Sequence, residues 1–221
     1  AGKRVGLLDA DVYGPSQPRM LGISDRPSSP DGTKILPLRK HGVTAMSIGL
    51  MAQEGEAVVW RGPMLMGALE QMLKRVVWGR LDYLFVDLPP GTGDVQLTLT
   101  QKATVSGAIL VSTPQDVALL DVRKALDMFQ QAGTPVLGLI ENMASYVCPN
   151  CAHEAHIFGH GGARHYAEEA GLPFLGEVPL DLDIRVASDS GTPIVAARPD
   201  SSQARAFTDI AARLAKMDAL Q

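Results

Sequence analysis

Two apolar runs of this sequence each lead to an aspartate that is followed by turn residues. Residues 83–86 lead to Asp87, and residues 5–8 lead to Asp9, with Asp11 two positions further on. Neither run alternates apolar and polar residues, so both predict strands of a parallel sheet that are buried on two faces. Because open parallel sheets bind ligands at the carboxyl ends of their strands, we expect these carboxylates at one ligand-binding edge.

Acidic residues in such positions suit phosphoryl transfer. In those sites a strand-end carboxylate holds Mg²⁺ directly or through water, and a glycine loop lets backbone N–H groups approach a terminal phosphate. The segment DLPPGTGD starts at Asp87 and places Gly91 in a loop of this kind. Asp9 is interpreted as acting on Mg²⁺ through water or orienting the attacking water, whereas Asp11 faces a partner or caps the next turn. The alternative for Asp87 is an ordinary strand-to-helix turn, and Asp94 is expected to cap a helix over residues 95–102.

A second chemical feature is the pair Cys148 and Cys151, which are the only cysteines in the chain. A C-x-x-C turn directs two thiolates at one metal centre, but a closed zinc site or a four-iron cluster needs four ligands. Either a second copy of the chain supplies another pair, or histidines complete a site within one chain. His153 and His156 are candidates for such a zinc knuckle, although His153 follows Cys151 by only two residues, short of the usual spacing. A redox-active dithiol is the third possibility.

The elements that must position these groups alternate regularly between strand and helix patterns. This alternation predicts an α/β fold with a mostly parallel sheet and helices on both faces. A hairpin is predicted around His41 and Gly42, and Asn142 is expected at a strand end, where its amide can pair with a purine edge or satisfy a loop. Further strands are predicted at residues 107–111, 136–140 and 173–178, and further helices at residues 62–77, 116–131, 161–170 and 204–217.

The composition of the chain limits the classes of function that it can have. A chain of 221 residues with 46% hydrophobic residues suits one α/β domain over residues 1–221. The balance of 20 basic and 24 acidic residues, without a basic run, argues against a nucleic-acid partner. No apolar stretch approaches the ~18 residues of a membrane span, and acidic residues dilute the basic face of the last helix, so no membrane partner is expected. The cysteine content fits a reducing compartment and predicts a cytoplasmic location.

Four segments together resemble a known family. They are LLDADVYGPS from residue 7, VDLPPGTGD from residue 86, ENM from residue 141 and CPNC from residue 148. Over residues 1–215 the combination resembles the Mrp/ApbC iron–sulfur cluster carrier ATPases, in the MinD-like branch of P-loop NTPases. The resemblance implies ATP, Mg²⁺ and a labile [4Fe-4S] cluster shared by the cysteine pairs of a homodimer. It also implies apo iron–sulfur proteins as cluster acceptors and contact between Asn142 and the adenine.

One family feature is not found in the sequence. The family begins with a strand and a phosphate-binding loop that carries two lysines, but the pattern GxxxxGK(S/T) does not occur here. The nearest spacing, from Gly62 to Gly67, continues as a helical pattern. The chain is therefore expected to begin after that loop, and ATP hydrolysis is expected provided that the native protein carries the loop. The competing hypothesis is a catalytically idle scaffold that binds zinc within one chain.

Overall fold

The structure is a computed structural model that describes residues 2–51 and 62–218. The chain divides into two compact units. Among the described residues, the N-terminal unit comprises residues 2–51, 62–98 and 187–193, and the C-terminal unit comprises residues 99–186 and 194–218. The single-domain organisation expected from the sequence stays a prediction.

The described elements of the N-terminal unit are β1 (Val5–Asp9), α1 (Gln17–Leu21), β2 (Leu38–Lys40), β3 (Val43–Ser47), a 3-10 helix (Ile48–Leu50), α2 (Gly62–Arg75), β4 (Tyr83–Asp87) and the start of α3 (Asp94–Lys102). A four-stranded sheet forms the centre of this unit, in the order β2, β3, β1, β4. Strands β1, β3 and β4 run parallel, and β2 pairs antiparallel with β3. The predicted hairpin is confirmed: His41 and Gly42 have positive φ values of 49° and 78°, which suit a tight turn between antiparallel strands.

Strand β4 is less buried than its uninterrupted apolar run predicted. Leu84 is 36% exposed and Phe85 39% exposed, so the expectation of burial on both faces was wrong here. The reason is position, because among the described strands β4 pairs only with β1 and forms the edge of its sheet. In contrast, β1 lies between β3 and β4, and its Leu8 is completely buried.

Helix α2 buries the face that its sequence spacing predicts. Met72 is completely buried and Leu69 nearly so, since residues three and four apart lie on one side of a helix. Gly67 lies within this helix, which confirms that the Gly62 to Gly67 spacing is not a phosphate-binding loop.

The described elements of the C-terminal unit, after the end of α3, are β5 (Ala108–Ser112), α4 (Asp116–Gln131), β6 (Val136–Asn142), β7 (Tyr146–Val147), β8 (Glu154–Ala155), α5 (Gly162–Glu169), β9 (Phe174–Val178), the start of α6 (Leu182–Asp189), α7 (Ile194–Ala197) and α8 (Ser202–Asp218). The unit contains a parallel three-stranded sheet in the order β5, β6, β9, and a separate two-stranded hairpin of β7 and β8. The mostly parallel α/β class is thus confirmed. Helix α4 has the predicted bounds and ends before Gly133, whose φ of 68° suits a helix stop.

Helix α8 packs on β9, as its amphipathic pattern predicted. Ile210 is buried against Leu175 and Val178, and Phe207 and Leu214 pack around this cluster. The apolar face of α8 is therefore used within the unit. Within residues 2–51 and 62–218, none of the helices combines the length and apolar character that a membrane span requires.

Candidate functional site

The ends of β1 and β4 bring the two predicted carboxylates together. The strands are parallel neighbours, and Asp9 stands directly opposite Asp87 in their register. Adjacent strands lie only about 4.8 Å apart, so the two residues are direct neighbours at the edge of the sheet. The N–H of Ala10 donates to the carbonyl oxygen of Asp87 at 2.8 Å and continues the pairing past the strand end.

Asp9 is a completely buried carboxylate with three hydrogen-bond donors around it. Its Oδ2 accepts from the Ser47 hydroxyl at 2.9 Å and from the N–H of Gln17 at 3.3 Å, and its Oδ1 accepts from the N–H of Asp11 at 3.2 Å. Burial raises the pKa of Asp9 above its ordinary value, the three donors lower it in part, and the charge of Asp87 raises it further. The donors thus offset only part of the cost of burying this charge.

Gln17 connects the two carboxylates. While its backbone N–H contacts Asp9, its side-chain Nε2 donates to Oδ2 of Asp87 at 2.7 Å. Neither Gln17 nor Ser47 was identified from the sequence, because each meets its carboxylate through the fold rather than through a spacing in the chain.

Asp11 holds the turn that follows β1. Its Oδ1 accepts from the N–H groups of Tyr13 at 3.0 Å and Gly14 at 3.2 Å. This geometry supports turn capping, one of the two alternatives that the sequence left open. A catalytic or partner-facing role for Asp11 stays a prediction.

The loop after β4 accepts two hydrogen bonds from a buried glutamine. Gln96 of α3 is 3% exposed, and its Nε2 donates to the carbonyl oxygens of Pro89 at 2.7 Å and Gly91 at 2.9 Å. Gly91 has a φ of 92°, a conformation that favours glycine. Helix α3 begins at Asp94 itself, so the cap position falls at Gly93 rather than at Asp94 as predicted.

The cysteine pair lies in the turn between β7 and β8. The N–H of Cys148 donates to the carbonyl of His153, and the N–H of Ala152 donates to the carbonyl of Cys148, both at 2.9 Å. Hydrogen bonds from the N–H groups of Cys151 and Asn150, and from the Cys151 side chain, lower the pKa of the Cys148 thiol. The turn therefore favours a thiolate, which is the form that binds metals.

The nearby histidines have other contacts. His156 Nδ1 lies 3.3 Å from the carbonyl oxygen of Ala144, and its ring lies 4.2 Å from that of His160. His165 pairs with Glu169 on the exposed side of α5. In the part of the chain that the structure describes, no three His, Cys, Asp or Glu side chains converge on a possible metal position. The knuckle of the cysteines with His153 and His156 stays a prediction.

The end of β6 carries two polar residues with different surroundings. Glu141 is completely buried and accepts from the N–H groups of Ala163 at 2.8 Å and Gly161 at 3.3 Å, which fixes the start of α5. The Oδ1 of Asn142 accepts from the N–H of Met143 at 3.0 Å. Asn142 thus satisfies a loop, and its contact with adenine stays a prediction. The role of Glu141 was missed, although it lies in the ENM segment.

Comparison with known proteins identifies the family of this chain. A family profile described as ParA, NUBPL iron-transfer P-loop NTPase, matches residues 1–215. The chain belongs to this family. Among curated relatives of the family, the mouse iron-sulfur cluster transfer protein NUBPL is 49% identical over 214 residues, which are 97% of this chain and 67% of the mouse protein. The iron-sulfur cluster carrier protein of Salmonella typhimurium is 50% identical over 215 residues, 97% of this chain but 58% of the bacterial protein.

Solved structures extend the comparison. A nucleotide-binding protein from Archaeoglobus fulgidus in complex with ADP aligns with a TM-score of 0.74 and 40% identity, over 86% of this chain and 74% of its own. The septum site-determining protein MinD from Pyrococcus horikoshii, complexed with Mg-ADP, has a TM-score of 0.73 over 99% of this chain and 86% of its own. At 22% identity, the second likeness shows the fold alone.

The raised pKa of Asp9 predicts how stability depends on pH. Its folded-state pKa exceeds the unfolded value of about 4, so the stability that the protonated group contributes is present below pH ~4 and is lost as pH rises through the folded value. Asp9→Asn removes this titration. Urea unfolding from acid to neutral pH should therefore show the variant gaining stability relative to wild type as pH rises.

Asp31 provides a control, because its pKa shifts in the opposite direction to that of Asp9. The N–H groups of Lys34 and Thr33 lower the pKa of Asp31 to about 2. The stability from Asp31 is thus present above pH ~4 and is lost as pH falls toward 2. Asp31→Asn should lose stability relative to wild type as pH rises through this window. The same pH trend in both variants would contradict the assignment for Asp9.

Proposed function

We propose that this protein is an ATP-dependent carrier that holds a labile [4Fe-4S] cluster between two copies and transfers it to apo iron–sulfur proteins. The observation that carries the proposal is that one chain combines register-paired strand-end carboxylates, Asp9 and Asp87, with a C-x-x-C turn shaped for thiolates. Two relatives that are about 50% identical to this chain are named as iron-sulfur cluster transfer and carrier proteins, which supports an iron–sulfur cluster as the cargo. The chain spans 58% of the Salmonella relative's length, so the activity of the whole protein is part of this proposal.

The carboxylate edge fits Mg²⁺. Hard divalent cations prefer oxygen ligands, and Asp87 offers Oδ1 beside the Oδ2 that Gln17 contacts. Asp87 would hold the ion directly or through water. When bound, Mg²⁺ neutralises the charge that develops on the phosphates during phosphoryl transfer. The backbone of the loop that contains Gly91 is proposed to face the terminal phosphate, and Asn142 is proposed to contact the adenine.

Asp9 is proposed to orient the water that attacks the terminal phosphate. Each carboxylate oxygen has two lone-pair positions. Ser47 and Gln17 occupy those of Oδ2, whereas Oδ1 accepts only the Asp11 N–H among the described residues. Oδ1 thus has one position for a water proton. The raised pKa of Asp9 makes the ionised group a better proton acceptor as the water oxygen bonds to phosphorus and ADP leaves.

The cluster is the cargo, bound at the β7–β8 turn. Two thiolates from each of two copies provide the four cysteine ligands that a four-iron cluster needs. Cys151 is exposed, and Val147 and Ile157 near it are 52% and 57% exposed, so a second copy would cover apolar as well as thiolate surface. Thiolates and labile clusters persist in reducing surroundings, which supports a cytoplasmic location.

Substitution of the two carboxylates separates their roles. In the full-length protein, Asp9→Asn should lower ATP turnover by ~10²–10⁴-fold while nucleotide still binds, because an amide cannot take the proton of the attacking water. Asp87→Asn should weaken the dependence of nucleotide binding on Mg²⁺. Phosphate release and calorimetry with and without Mg²⁺ measure both effects, with Asp31→Asn as a control on an exposed turn. Unchanged turnover in Asp9→Asn would assign Asp9 to loop structure alone, and a wild type without turnover would favour the idle scaffold.

Loss of one cysteine should release the cluster and weaken the dimer together, since the same bonds hold both. Anaerobic reconstitution of wild type should give about four irons per dimer, with visible absorbance that Cys148→Ala lacks. Light scattering should show that Cys148→Ala is mainly monomeric, whereas His165→Ala, a change on the exposed side of α5, behaves as wild type. One zinc per monomer, retained without iron and without effect on association, would refute the shared cluster.

A further inference from the structure

Two histidine rings lie side by side in the segment between the cysteine turn and α5. The ring centroids of His156 and His160 are 4.2 Å apart, and the ring planes are tilted by 46°. Two nitrogens that bind one Zn²⁺ at ~2.0–2.1 Å with a tetrahedral angle are ~3.4 Å apart, so rings at this spacing can each present a nitrogen to the same ion. Both residues are exposed, which gives an ion access from solution.

The hydrogen bond of His156 leaves its other ring nitrogen available to a metal. Its Nδ1 lies 3.3 Å from the carbonyl oxygen of Ala144, and because a carbonyl only accepts, Nδ1 carries the proton. In the neutral ring, Nε2 then has a lone pair. Metal-binding histidines commonly have this arrangement, in which one ring N–H donates to a backbone carbonyl and the other nitrogen binds the ion. Ala144 is itself buried, and its N–H donates to Val178 at 3.1 Å, so the acceptor that orients His156 is fixed.

A tight turn of the backbone brings His160 to His156. The N–H of Gly159 donates to the carbonyl oxygen of His156 at 3.2 Å, and Gly159 has a φ of 97°, a conformation that favours glycine. On the other side of His160, the N–H of Gly161 donates to Glu141 at 3.3 Å. Backbone contacts therefore hold the chain on both sides of His160 and keep the two rings together.

The histidine pair and the cysteines occupy different ends of the β7–β8 hairpin. Tyr146 pairs with Ala155, so Cys148 continues β7 by two residues toward the turn, whereas His156 continues β8 by one residue away from it. Three residues along a strand span ~10 Å. The two pairs of metal-binding side chains therefore lie at separate positions along the hairpin.

We propose that His156 and His160 together bind a divalent first-row transition metal ion, at a site separate from the cysteine pair. Imidazole nitrogen suits ions such as Zn²⁺ and Fe²⁺, whereas Mg²⁺ prefers oxygen ligands. Among the described residues no third His, Cys, Asp or Glu joins the pair, so water completes the coordination and the ion exchanges readily. The site goes beyond the proposed function, since it needs neither nucleotide nor cluster.

The first test is calorimetry with Zn²⁺ on the full-length protein without an affinity tag, because a histidine tag would bind the same ions. Cys148 and Cys151 are both changed to Ser, so that thiolates cannot take the ion, and this variant should bind one Zn²⁺ per chain. Adding His156→Ala or His160→Ala should weaken binding by about tenfold or more. Adding His165→Ala, which removes an exposed histidine on α5, should leave the affinity unchanged. Absence of binding, or equal affinity in all of these proteins, would overturn the site.

The second test is nitrogen-15 NMR of the histidine rings, which needs no substitution of a histidine. In the metal-free double serine variant, neutral His156 should carry its proton on Nδ1. Zn²⁺ should shift the Nε2 resonance of His156 and one ring nitrogen of His160, while the ring of His165 keeps its resonances. A proton on Nε2 of neutral His156, or a ring of His156 that does not respond to Zn²⁺, would contradict the proposed geometry.

The cysteines decide whether the site is separate. If wild type binds Zn²⁺ through His156 but the double serine variant does not bind it, the ion is shared with the thiolates, and the separate site is wrong in favour of a knuckle within one chain. If the double serine variant binds Zn²⁺ through both histidines while wild type forms no iron–sulfur cluster on reconstitution, the histidine site stands and the proposed function fails.

Discussion

A buried carboxylate is costly unless hydrogen bonds surround it, and Asp9 imposes this requirement on much of the N-terminal unit. The donors come from three places: Ser47 at the end of β3, Asp11 in the following turn, and Gln17 at the start of α1. Satisfying Asp9 therefore fixes the course of the chain from β1 to α1. Gln17 also donates a hydrogen bond to Asp87, so the same contacts hold the side chain of the second carboxylate in place. The positions of Asp9 and Asp87 at this edge thus follow from how one buried carboxylate is accommodated.

The C-terminal unit meets the same requirement at Glu141. This completely buried carboxylate receives the N–H groups of Gly161 and Ala163 at the start of α5. The hairpin that carries Cys148 and Cys151 lies between Glu141 and Gly161 along the chain. Glu141 therefore brings the ends of that segment together, while the hydrogen bonds of its turn shape the thiolate site. The segment proposed to bind the cluster has fixed ends and an exposed tip, which suits cargo that must be received and released.

Features encoded locally could be predicted from the sequence. Helix α4 was predicted with its correct bounds because its apolar spacing is followed by Gly133, a helix stop signal. The alternation of strands and helices was enough to place Asp9 and Asp87 at one edge of the sheet. Burial of β4 was overestimated, since it depends on which strands flank it. Strands β7 and β8 were missed because two residues carry no periodicity. Gln17 and Ser47 were missed because their partners are brought to them by tertiary structure. Gln96 was missed although its partners, Pro89 and Gly91, lie in the loop just before its helix.

The paired strand ends are proposed to form the metal–nucleotide site. A crystal structure of the full-length protein with Mg²⁺ and a non-hydrolysable ATP analogue tests this most directly. We expect a carboxylate oxygen of Asp87 at about 2.1 Å from the Mg²⁺ or separated from it by one bound water, with Asp9 Oδ1 hydrogen-bonded to a water beside the terminal phosphate. Mg²⁺ and phosphates bound away from the ends of β1 and β4 would contradict it.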